Sequence, residues 1–254
     1  MTSTATTRRT VLLTGAAGRI GSAFREDTGE RYQLRLADKT IAALEQEPRP
    51  AHEIVELDVA DLAACQRACA GVDTVVHLAA DPATKADFYE SLLEANIKGT
   101  YNIFRAAKDQ GCRRVVYASS VQTLEGYAHD QQLTPETQVR PKNMYGVSKC
   151  FGEAVASYFA YQEQLSAIVV RIGHYNTFAP GERHSARNMS AYISRRDLVH
   201  LLIQAIEVEP LRFAIVHGVS NNRFKRLDLS ATRERLGYDP QDDAFSILGL
   251  DLFD

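Results

Sequence analysis

Three glycines at three-residue spacing, Gly15, Gly18 and Gly21, join an apolar run to an amphipathic one near the start of the chain. Residues 10–14 have the composition of a buried strand, and residues 20–27 have the spacing of a helix. In a strand–turn–helix unit the first glycine permits the tight turn, the second lets the backbone approach a pyrophosphate, and the third allows close helix packing. The N-terminus of the helix then favours an anion. This unit predicts a dinucleotide-binding loop and an α/β fold.

The chain up to residue 172 alternates strand-like and helix-like segments with short connections, which indicates a parallel sheet covered by helices. Short β-branched runs predict strands at residues 10–14, 33–37, 53–56, 74–78, 114–119 and 167–172. Helices are predicted at residues 20–27, 62–69, 89–110 and 145–161. The fold class predicted from this order is α/β, a Rossmann-type doubly wound parallel sheet with a small C-terminal substrate-covering segment.

The alternation is lost after residue 172. Residues 173–196 are rich in Gly, Pro, Arg, His and Asn and are predicted to form a loop. Ser194 is the predicted N-cap of a helix that runs to about residue 208. A strand at 212–217 and a helix at 230–236 closed by Gly237 follow. We therefore predict a flexible tail (1–9), a dinucleotide-binding core (10–173), and a C-terminal segment (174–254) that is not an independent domain.

The composition is that of an ordinary globular protein, with 45% hydrophobic and 24% charged residues. A net charge of −3 provides no attraction to nucleic acid or an anionic membrane. No apolar run approaches the roughly 18 residues that span a bilayer, and residues 1–9 lack the apolar stretch of a secretory signal. The four cysteines have no Cys-x-x-Cys spacing and no histidine pair beside them. We therefore expect reduced thiols, no metal site and a cytoplasmic protein.

The second predicted strand ends at Asp38, about 20 residues after the glycine loop. A carboxylate here accepts hydrogen bonds from both ribose hydroxyls of NAD and repels the 2′-phosphate of NADP. Lys39 and Arg19 would tolerate that phosphate, so NADP stays the less favoured alternative to NAD. Asp58-Val59 and Leu78-Ala79-Ala80 follow the next two strands, and we expect them to border the adenine ring and the nicotinamide ribose.

Tyr145 and Lys149 are four residues apart and share one face of a predicted helix. A free phenol has a pKa of about 10 and is a poor base. An adjacent ammonium and an oxidised nicotinamide both lower that pKa, so we predict that Tyr145 exchanges the proton. Ser120 is predicted to bond the same substrate oxygen, and Asn96 to link Lys149 to water or to brace the neighbouring backbone. These residues together predict a redox active site.

These motifs together resemble an extended short-chain dehydrogenase/reductase, the NAD-dependent epimerase/dehydratase superfamily. The resemblance covers nearly the whole chain and rests on Thr14-Gly15-Ala16-Ala17-Gly18-Arg19-Ile20-Gly21, Asp38, Asp58, His77-Leu78-Ala79-Ala80, Asn96, Ala118-Ser119-Ser120 and Tyr145-x-x-x-Lys149. It implies that Tyr145 is the catalytic base, Lys149 its electrostatic partner and Ser120 the ligand of the substrate hydroxyl. The cofactor-binding residues expected on this basis are Gly15, Ala17, Gly18, Arg19, Ile20, Gly21, Asp38, Asp58, Val59, Leu78, Ala79, Ala80, Asn96, Tyr145, Lys149 and Ile172.

Within the superfamily, segments 145–153 and 170–173 are similar to uronate dehydrogenases, which oxidise C1 of a hexuronic acid to the aldarolactone with NAD. Arg187 falls where those enzymes hold the sugar carboxylate, and the expected substrate-binding residues are Ser120, Val121, Gln122, Tyr145, His174 and Arg187. Val121 and Gln122 replace an Asn-His pair that contacts substrate there, and Pro82 replaces a serine. Other sugars and sugar phosphates therefore stay open as substrates. Arg183, His184 and Arg187 form either an anion site or a solvated basic loop.

The leading hypothesis is an NAD-dependent oxidoreductase that oxidises a hydroxyl of a sugar or sugar acid. One alternative is a sugar or nucleotide-sugar epimerase or dehydratase that retains NAD. Such enzymes usually extend further than the 105 residues (254 − 149) after Lys149, and dehydratases carry an Asp-Glu pair where Val121-Gln122 stands. Two further alternatives are a sugar-phosphate dehydrogenase and a dinucleotide sensor without turnover. Such sensors typically lose the Tyr or the Lys. The resemblance also implies a homo-oligomer that pairs through residues 89–110 and 145–161.

Overall fold

The computed structural model of the chain describes residues 8–46 and 52–250. Its strands are β1 (Thr10–Thr14), β2 (Gln33–Asp38), β3 (Glu53–Glu56), β4 (Thr74–His77), β5 (Arg114–Ser120), β6 (Ser166–Ile172), β7 (His174–Tyr175), β8 (Tyr192–Ile193) and β9 (Phe213–Gly218). Seven of them form a central parallel sheet in the order β3-β2-β1-β4-β5-β6-β9. The order reverses between β1 and β4, where doubly wound sheets bind ligands. The predicted fold class is confirmed, and each of its six predicted core strands is correct to within one residue.

Helices cover both faces of this sheet. They are α1 (Arg19–Thr28), α2 (Ala42–Glu45), α3 (Leu62–Cys69), a π-helix (Phe88–Lys98) continuing into α4 (Gly99–Asp109), a 3₁₀ turn (Val121–Leu124), α5 (Met144–Tyr161), α6 (Ala186–Ser190), α7 (Arg195–Glu207), α8 (Ser230–Leu236) and α9 (Ala244–Ile247). Side chains alternate along a strand. Val11 and Leu13 therefore pack in one core with Phe24 of α1, whereas Leu12 packs in the opposite core with Phe104 of α4.

The single α-helix predicted over residues 89–110 is wrong in its first half. Phe88–Lys98 is a π-helix, and the α-helical part begins only at Gly99, whose N–H donates to the carbonyl of Glu94. A Cβ at Gly99 would lie 2.5 Å from Cγ2 of Val59, so the junction packs closely on the segment after β3. Apolar spacing does not separate i+4 from i+5 hydrogen bonding, which is why the pattern indicated a helix but not its winding. The predicted end at Gly111, with φ +72°, is confirmed.

The C-terminal segment contributes a strand to the central sheet. The loop predicted over residues 173–196 is wrong, because β7, α6 and β8 lie within it and β7 pairs with β8. These elements are too short for a periodic signal. The Ser194 cap is confirmed, since its hydroxyl accepts a hydrogen bond from the N–H of Asp197 at 3.1 Å. β9 pairs with β6 along its full length, so residues 174–250 also complete the central sheet.

Arg9, the last residue of the predicted tail, is bonded to the rest of the fold. Residues 1–7 of that tail, like residues 251–254 of the C-terminal segment, lie outside the described residues. The carbonyl of Arg9 accepts a hydrogen bond from the N–H of Gln33, and its guanidinium pairs with Asp73, Glu207 and Glu209 at 3.3–3.4 Å. Arg9 is therefore tied to the sheet and is not part of a free tail.

The structure also bears on membranes and metals. Among the helices of residues 8–46 and 52–250, none has both the length and the apolarity to cross a bilayer. The described residues contain no group of three or more His, Cys, Asp or Glu side chains arranged to hold a metal ion. Cys65, Cys69, Cys112 and Cys150 are free thiols, and the first three are buried.

Candidate active site

The predicted functional residues meet at one edge of the central sheet. The register places Thr14 beside His77, and Ser120 beside Ile172. Asp38 ends β2 on the other side of β1. Because all these strands are parallel, their carboxyl ends form a single edge, and the connections that follow them line it. Residues distant in sequence are thereby collected around the point where the strand order reverses.

The glycine loop leaves the N-terminus of α1 open to an anion. Gly15 has φ +71°, and an added Cβ would lie 2.8 Å from the backbone nitrogen of Ala79. A Cβ on Gly21 would collide with the carbonyl of Gly15. The nearest atom to a Cβ on Gly18 is that same carbonyl oxygen, at 3.2 Å, and the other side of Gly18 is open. As the N-cap of α1, Gly18 offers no side chain to the first-turn N–H groups. The loop therefore fits a pyrophosphate.

Asp38 is held against the same loop. Its Oδ2 accepts a hydrogen bond from the backbone N–H of Ala17 at 2.9 Å. The two cations that would tolerate NADP are engaged elsewhere. Lys39 Nζ lies 2.8 Å from Oδ2 of Asp58, and this pairing lowers the pKa of the Asp58 carboxyl. Arg19 donates to the backbone of β7 at 3.4 Å. The arrangement therefore suits a ribose with free hydroxyls.

The segments expected to border the adenine and the nicotinamide ribose are fixed by backbone hydrogen bonds. Val59 is buried, and its carbonyl accepts a hydrogen bond from Nδ2 of Asn102 at 2.9 Å. The N–H of Leu78 donates to the carbonyl of Thr14 at 3.2 Å, and the N–H of Ala79 donates to Oγ1 of Thr14 at 3.3 Å. These bonds keep the small residues after β4 close to the glycine loop, where a dinucleotide would lie against the backbone.

Tyr145 and Lys149 lie in the first two turns of α5, beside the end of β5. Lys149 Nζ donates to the carbonyl of Ala118 at 2.8 Å and lies 5.7 Å from the centre of the Tyr145 ring. The Ser120 hydroxyl lies close enough to the Tyr145 phenol to favour its ionised form. The predicted trio of Tyr145, Lys149 and Ser120 is therefore brought together.

Burial shifts the pKa values of both residues. It lowers the pKa of Lys149 to about 7, because the ammonium loses its hydration. It also raises the pKa of Tyr145, and the nearby Ser120 hydroxyl offsets this only in part. That the ammonium and an oxidised nicotinamide together lower the pKa of Tyr145 stays a prediction.

Gln122, a predicted substrate ligand, is engaged in the helix cap. Asn143 caps α5 through Oδ1, which accepts a hydrogen bond from the N–H of Gly146 at 2.8 Å. The Nδ2 of Asn143 donates to Oε1 of Gln122 at 2.9 Å. Gln122 thus links the 3₁₀ turn after Ser120 to the start of the catalytic helix, and its amide nitrogen is the group left for a substrate.

Asn96 braces the backbone after β4, one of the two roles expected for it. Its Nδ2 donates to the carbonyl of Asp81 at 3.1 Å and to Oγ of Ser148 at 2.9 Å. Its Oδ1 accepts from the N–H of Asp81 at 2.8 Å. Asn96 is buried within the π-helix, and such helices are frequent at functional sites. Asp81, which raises the pKa of Tyr145, was not found from the sequence.

A buried ion pair that the sequence analysis missed holds α5 against β6. Arg171 donates to both carboxylate oxygens of Glu153 at 2.8 Å, and Oγ of Ser119 donates to Oε1 of Glu153 at 2.6 Å. Both ionic side chains are almost fully buried. In the sequence, the only indication of this ion pair is a charged residue, Arg171, in the otherwise apolar strand β6. The network fixes the catalytic helix relative to the end of β5.

Arg187 does not lie in a solvated loop, and its guanidinium is already engaged. It belongs to α6, and its side chain is 14% exposed. Its Nη2 and Nε donate to Oε1 of Glu125 at 2.7 and 3.2 Å, and its Nη1 donates to Oδ1 of Asn188 at 3.1 Å. Arg183 is exposed, as the solvated interpretation predicts. Glu125 was not found from the sequence, since its only signal is an acidic residue five positions after Ser120.

His174 and His184 lie in the segment that covers this edge. Burial lowers the pKa of His174, and Arg187 and His184 lower it further. The His184 ring stacks on Phe178 with 3.7 Å between ring centres. The expected substrate contact His174 is therefore a half-buried, neutral ring in an electropositive neighbourhood.

The glycine loop, the Asp38 carboxylate, the half-buried Tyr145 and the buried Lys149 define a dinucleotide-binding protein with an acid/base group at the switch point of its sheet. The chain matches the NAD dependent epimerase/dehydratase family over residues 11–208 and belongs to that family. Its cofactor is NAD.

Individual relatives are similar over most of their length. The NAD-dependent glucose-6-phosphate dehydrogenase of Haloferax volcanii is 36% identical, over 92% of this chain and 94% of that protein. The uronate dehydrogenase of Pseudomonas putida is 33% identical, over 91% of this chain and 84% of that protein. A mutant uronate dehydrogenase from Agrobacterium tumefaciens, solved in complex with NAD, superimposes with a TM-score of 0.84 and 35% identity, over 94% of this chain and 86% of that one.

Proposed function

We propose that the protein is an NAD-dependent dehydrogenase that oxidises a ring hydroxyl of a sugar or sugar acid, with the anomeric C1 hydroxyl as the reacting group. The observation that carries this proposal is the grouping of Ser120 and Tyr145 with a buried Lys149, whose Nζ lies 5.7 Å from the centre of the Tyr145 ring, at the edge where α1 offers its free N-terminus. The relatives from Haloferax volcanii and Pseudomonas putida are named as an NAD-dependent glucose-6-phosphate dehydrogenase and a uronate dehydrogenase, which supports the same reaction class.

Each residue of the trio has a distinct part in this chemistry. The hydroxyls of Ser120 and Tyr145 bind the substrate oxygen from two sides, and Tyr145 takes up its proton as the carbonyl forms. Lys149, whose Nζ donates to the carbonyl of Ala118 and lies 5.7 Å from the centre of the Tyr145 ring, would hold the nicotinamide ribose and stabilise the phenolate. Bound NAD supplies the hydride acceptor and a positive charge that favours the phenolate, which the protein's own groups do not favour.

The alternative of an epimerase or dehydratase that retains NAD has less support. Val121 and Gln122 stand where dehydratases place an acidic pair, and Gln122 is bonded to the cap of α5. These side chains provide no second acid or base beside the trio.

A sugar phosphate is a second candidate substrate. A cavity of about 660 Å³ lies beside Arg187, and its wall includes Arg223 and Lys225 as well as Asp130. The excess of cations over the single carboxylate suits a phosphoryl group. The similarity to a glucose-6-phosphate dehydrogenase supports the same substrate class.

The test is a turnover screen with purified protein and NAD. Formation of NADH is followed at 340 nm with paired hexoses, hexuronates and hexose 6-phosphates, and the product is checked by mass for loss of two hydrogens. We expect one of these sugars to be oxidised, with Tyr145→Phe as the inactive control. Absence of NADH with every sugar, from protein that binds NAD, would contradict the proposal.

We also propose that the protein is a cytoplasmic homo-oligomer that pairs through the two long helices. Tyr101 of α4 and Tyr158 of α5 are half exposed, and four free cysteines suit a reducing compartment. Sedimentation velocity should give more than one copy per particle. Tyr158→Glu should shift the particles toward monomers if this surface is the interface.

A further inference from the structure

We propose that Glu125 determines specificity by excluding hexuronates. The substrate is then a sugar that presents hydroxyl groups, and not a carboxylate, to Arg187. This inference rests on the dehydrogenase function proposed above and names the substrate class of that same site.

The guanidinium of Arg187 is bonded to other side chains of the protein. Its Nη2 and Nε converge on Oε1 of Glu125 at 2.7 and 3.2 Å, and Nε also lies 3.4 Å from Oε2. Its Nη1 donates to Asn188. Of the five N–H donors of the guanidinium, the fork formed by Nε and Nη2 is thus occupied by Glu125. A substrate carboxylate that used this fork would have to displace Glu125.

Glu125 is carried by the turn that follows Ser120. It follows the 3₁₀ turn directly, and Oγ1 of Thr123 in that turn donates to the carbonyl of Ser120 at 2.9 Å. The next residue, Gly126, donates its N–H to the carbonyl of Arg140 at 2.7 Å. The Glu125 side chain is 11% exposed. Its carboxylate is therefore held by the same turn that carries the substrate-binding serine.

A second arginine lies beside Glu125. Arg226 lies behind it, with Nε 4.0 Å from Oε1, and is anchored by donating to the carbonyls of Ala128 and Tyr127. A uronate at Arg187 would place two carboxylates on one guanidinium, or would leave Glu125 buried without its main partner. Both arrangements are costly. A sugar hydroxyl, by contrast, can donate to a free lone pair of Glu125.

The experiment compares wild type with Glu125→Gln, which keeps the shape of the side chain and removes the charge. We measure kcat/KM for glucose and galactose against glucuronate and galacturonate. The wild type should prefer the neutral sugars, and Glu125→Gln should lower that preference by about 10- to 100-fold, the value of a charge-assisted hydrogen bond. Glu182→Gln is the matched control, because it removes one carboxylate charge from the segment that carries Arg187, where Glu182 pairs with His184. Its preference should equal that of the wild type.

Two further variants make the test independent of one substitution. In Glu125→Gln combined with Arg187→Ala, the gain on hexuronates should disappear, because the freed guanidinium is the group that provides it. A gain that persists in the double variant overturns the proposal. If Glu125→Gln does not fold, Glu125→Asp replaces it, since the shorter side chain reaches Arg187 less well and should shift the preference in the same direction.

Calorimetric titration of glucuronate into the NADH-saturated protein provides a readout without turnover, because the reduced cofactor cannot accept the hydride. We expect Glu125→Gln to bind glucuronate at least about tenfold tighter than the wild type does. A wild type that oxidises hexuronates in preference to hexoses, or equal glucuronate affinity in the two proteins, overturns the role of Glu125 and leaves the proposed function intact. A wild type that oxidises no sugar overturns the proposed function, whereas the affinity difference still decides the role of Glu125.

Discussion

Replacing Lys149 by methionine should stabilise the protein while it lowers turnover. The lysine is almost fully buried, and its ammonium donates to the carbonyl of Ala118 at 2.8 Å. Burial lowers its pKa to about 7 because the charged form loses its hydration. Methionine has a similar length and no charge, so Lys149→Met removes that desolvation cost. Such a gain is expected where a catalytic group is held in an unfavourable environment.

The size of the effect follows from the two pKa values. The difference between 10.5 in the unfolded chain and about 7 in the fold corresponds, at about 1.4 kcal/mol per pKa unit, to about 5 kcal/mol. Leaving the Ala118 carbonyl unpaired costs about 1–3 kcal/mol. We therefore expect the free energy of unfolding of Lys149→Met to exceed that of the wild type by about 2–4 kcal/mol near pH 6.

The stability difference between Lys149→Met and the wild type should change with pH. Below about pH 7 the lysine is protonated in both states of the wild type, so the cost of the buried charge is fully present. Between about 7 and 10.5 the unfolded chain binds more protons than the fold, so the wild type gains stability as pH rises. The advantage of the variant should thus shrink and then reverse toward pH 10.5.

Urea unfolding of both proteins without added NAD, at about pH 6, 8 and 10, measures this difference. Other titrating groups are common to the two proteins and cancel in the comparison. A variant that is less stable than the wild type at about pH 6, or a difference that does not change with pH, would refute the reasoning.

Three further substitutions test the site and the fold. Tyr145→Phe should lower kcat by about 10²- to 10⁴-fold with little change in NAD affinity, measured by fluorescence titration, and an active variant would reject Tyr145 as the proton-transfer group. Asp38→Ala should weaken NAD binding by about tenfold or more and NADP binding less, because the ribose ligand that also accepts from Ala17 is lost; equal losses would count against this role. Ser194→Ala removes the cap on α7 and should lower the free energy of unfolding by about 1 kcal/mol, measured with urea. No change would show that the hydroxyl's bond to the N–H of Asp197 contributes nothing to stability.

The sequence by itself determined the layers of this protein and its cofactor loop. Strands buried on both faces and amphipathic helices carry their periodicity within a few residues, so β1 and α3 were placed correctly from pattern alone. The glycine loop is equally local, because the tight turn at Gly15 depends on its own φ of +71°. The Tyr145/Lys149 pair was visible because both residues lie on one helix face.

Tertiary structure alone decided the partners and the protonation of that site. Glu125 and Arg187 are 62 positions apart, and no periodic pattern indicates that a short helix brings one guanidinium onto that carboxylate. The Glu153–Arg171 pair and the winding of the π-helix depend in the same way on how separate elements pack. Burial, and not sequence neighbourhood, sets the pKa of Lys149, because the cost of desolvating a charge depends on every element packed around it.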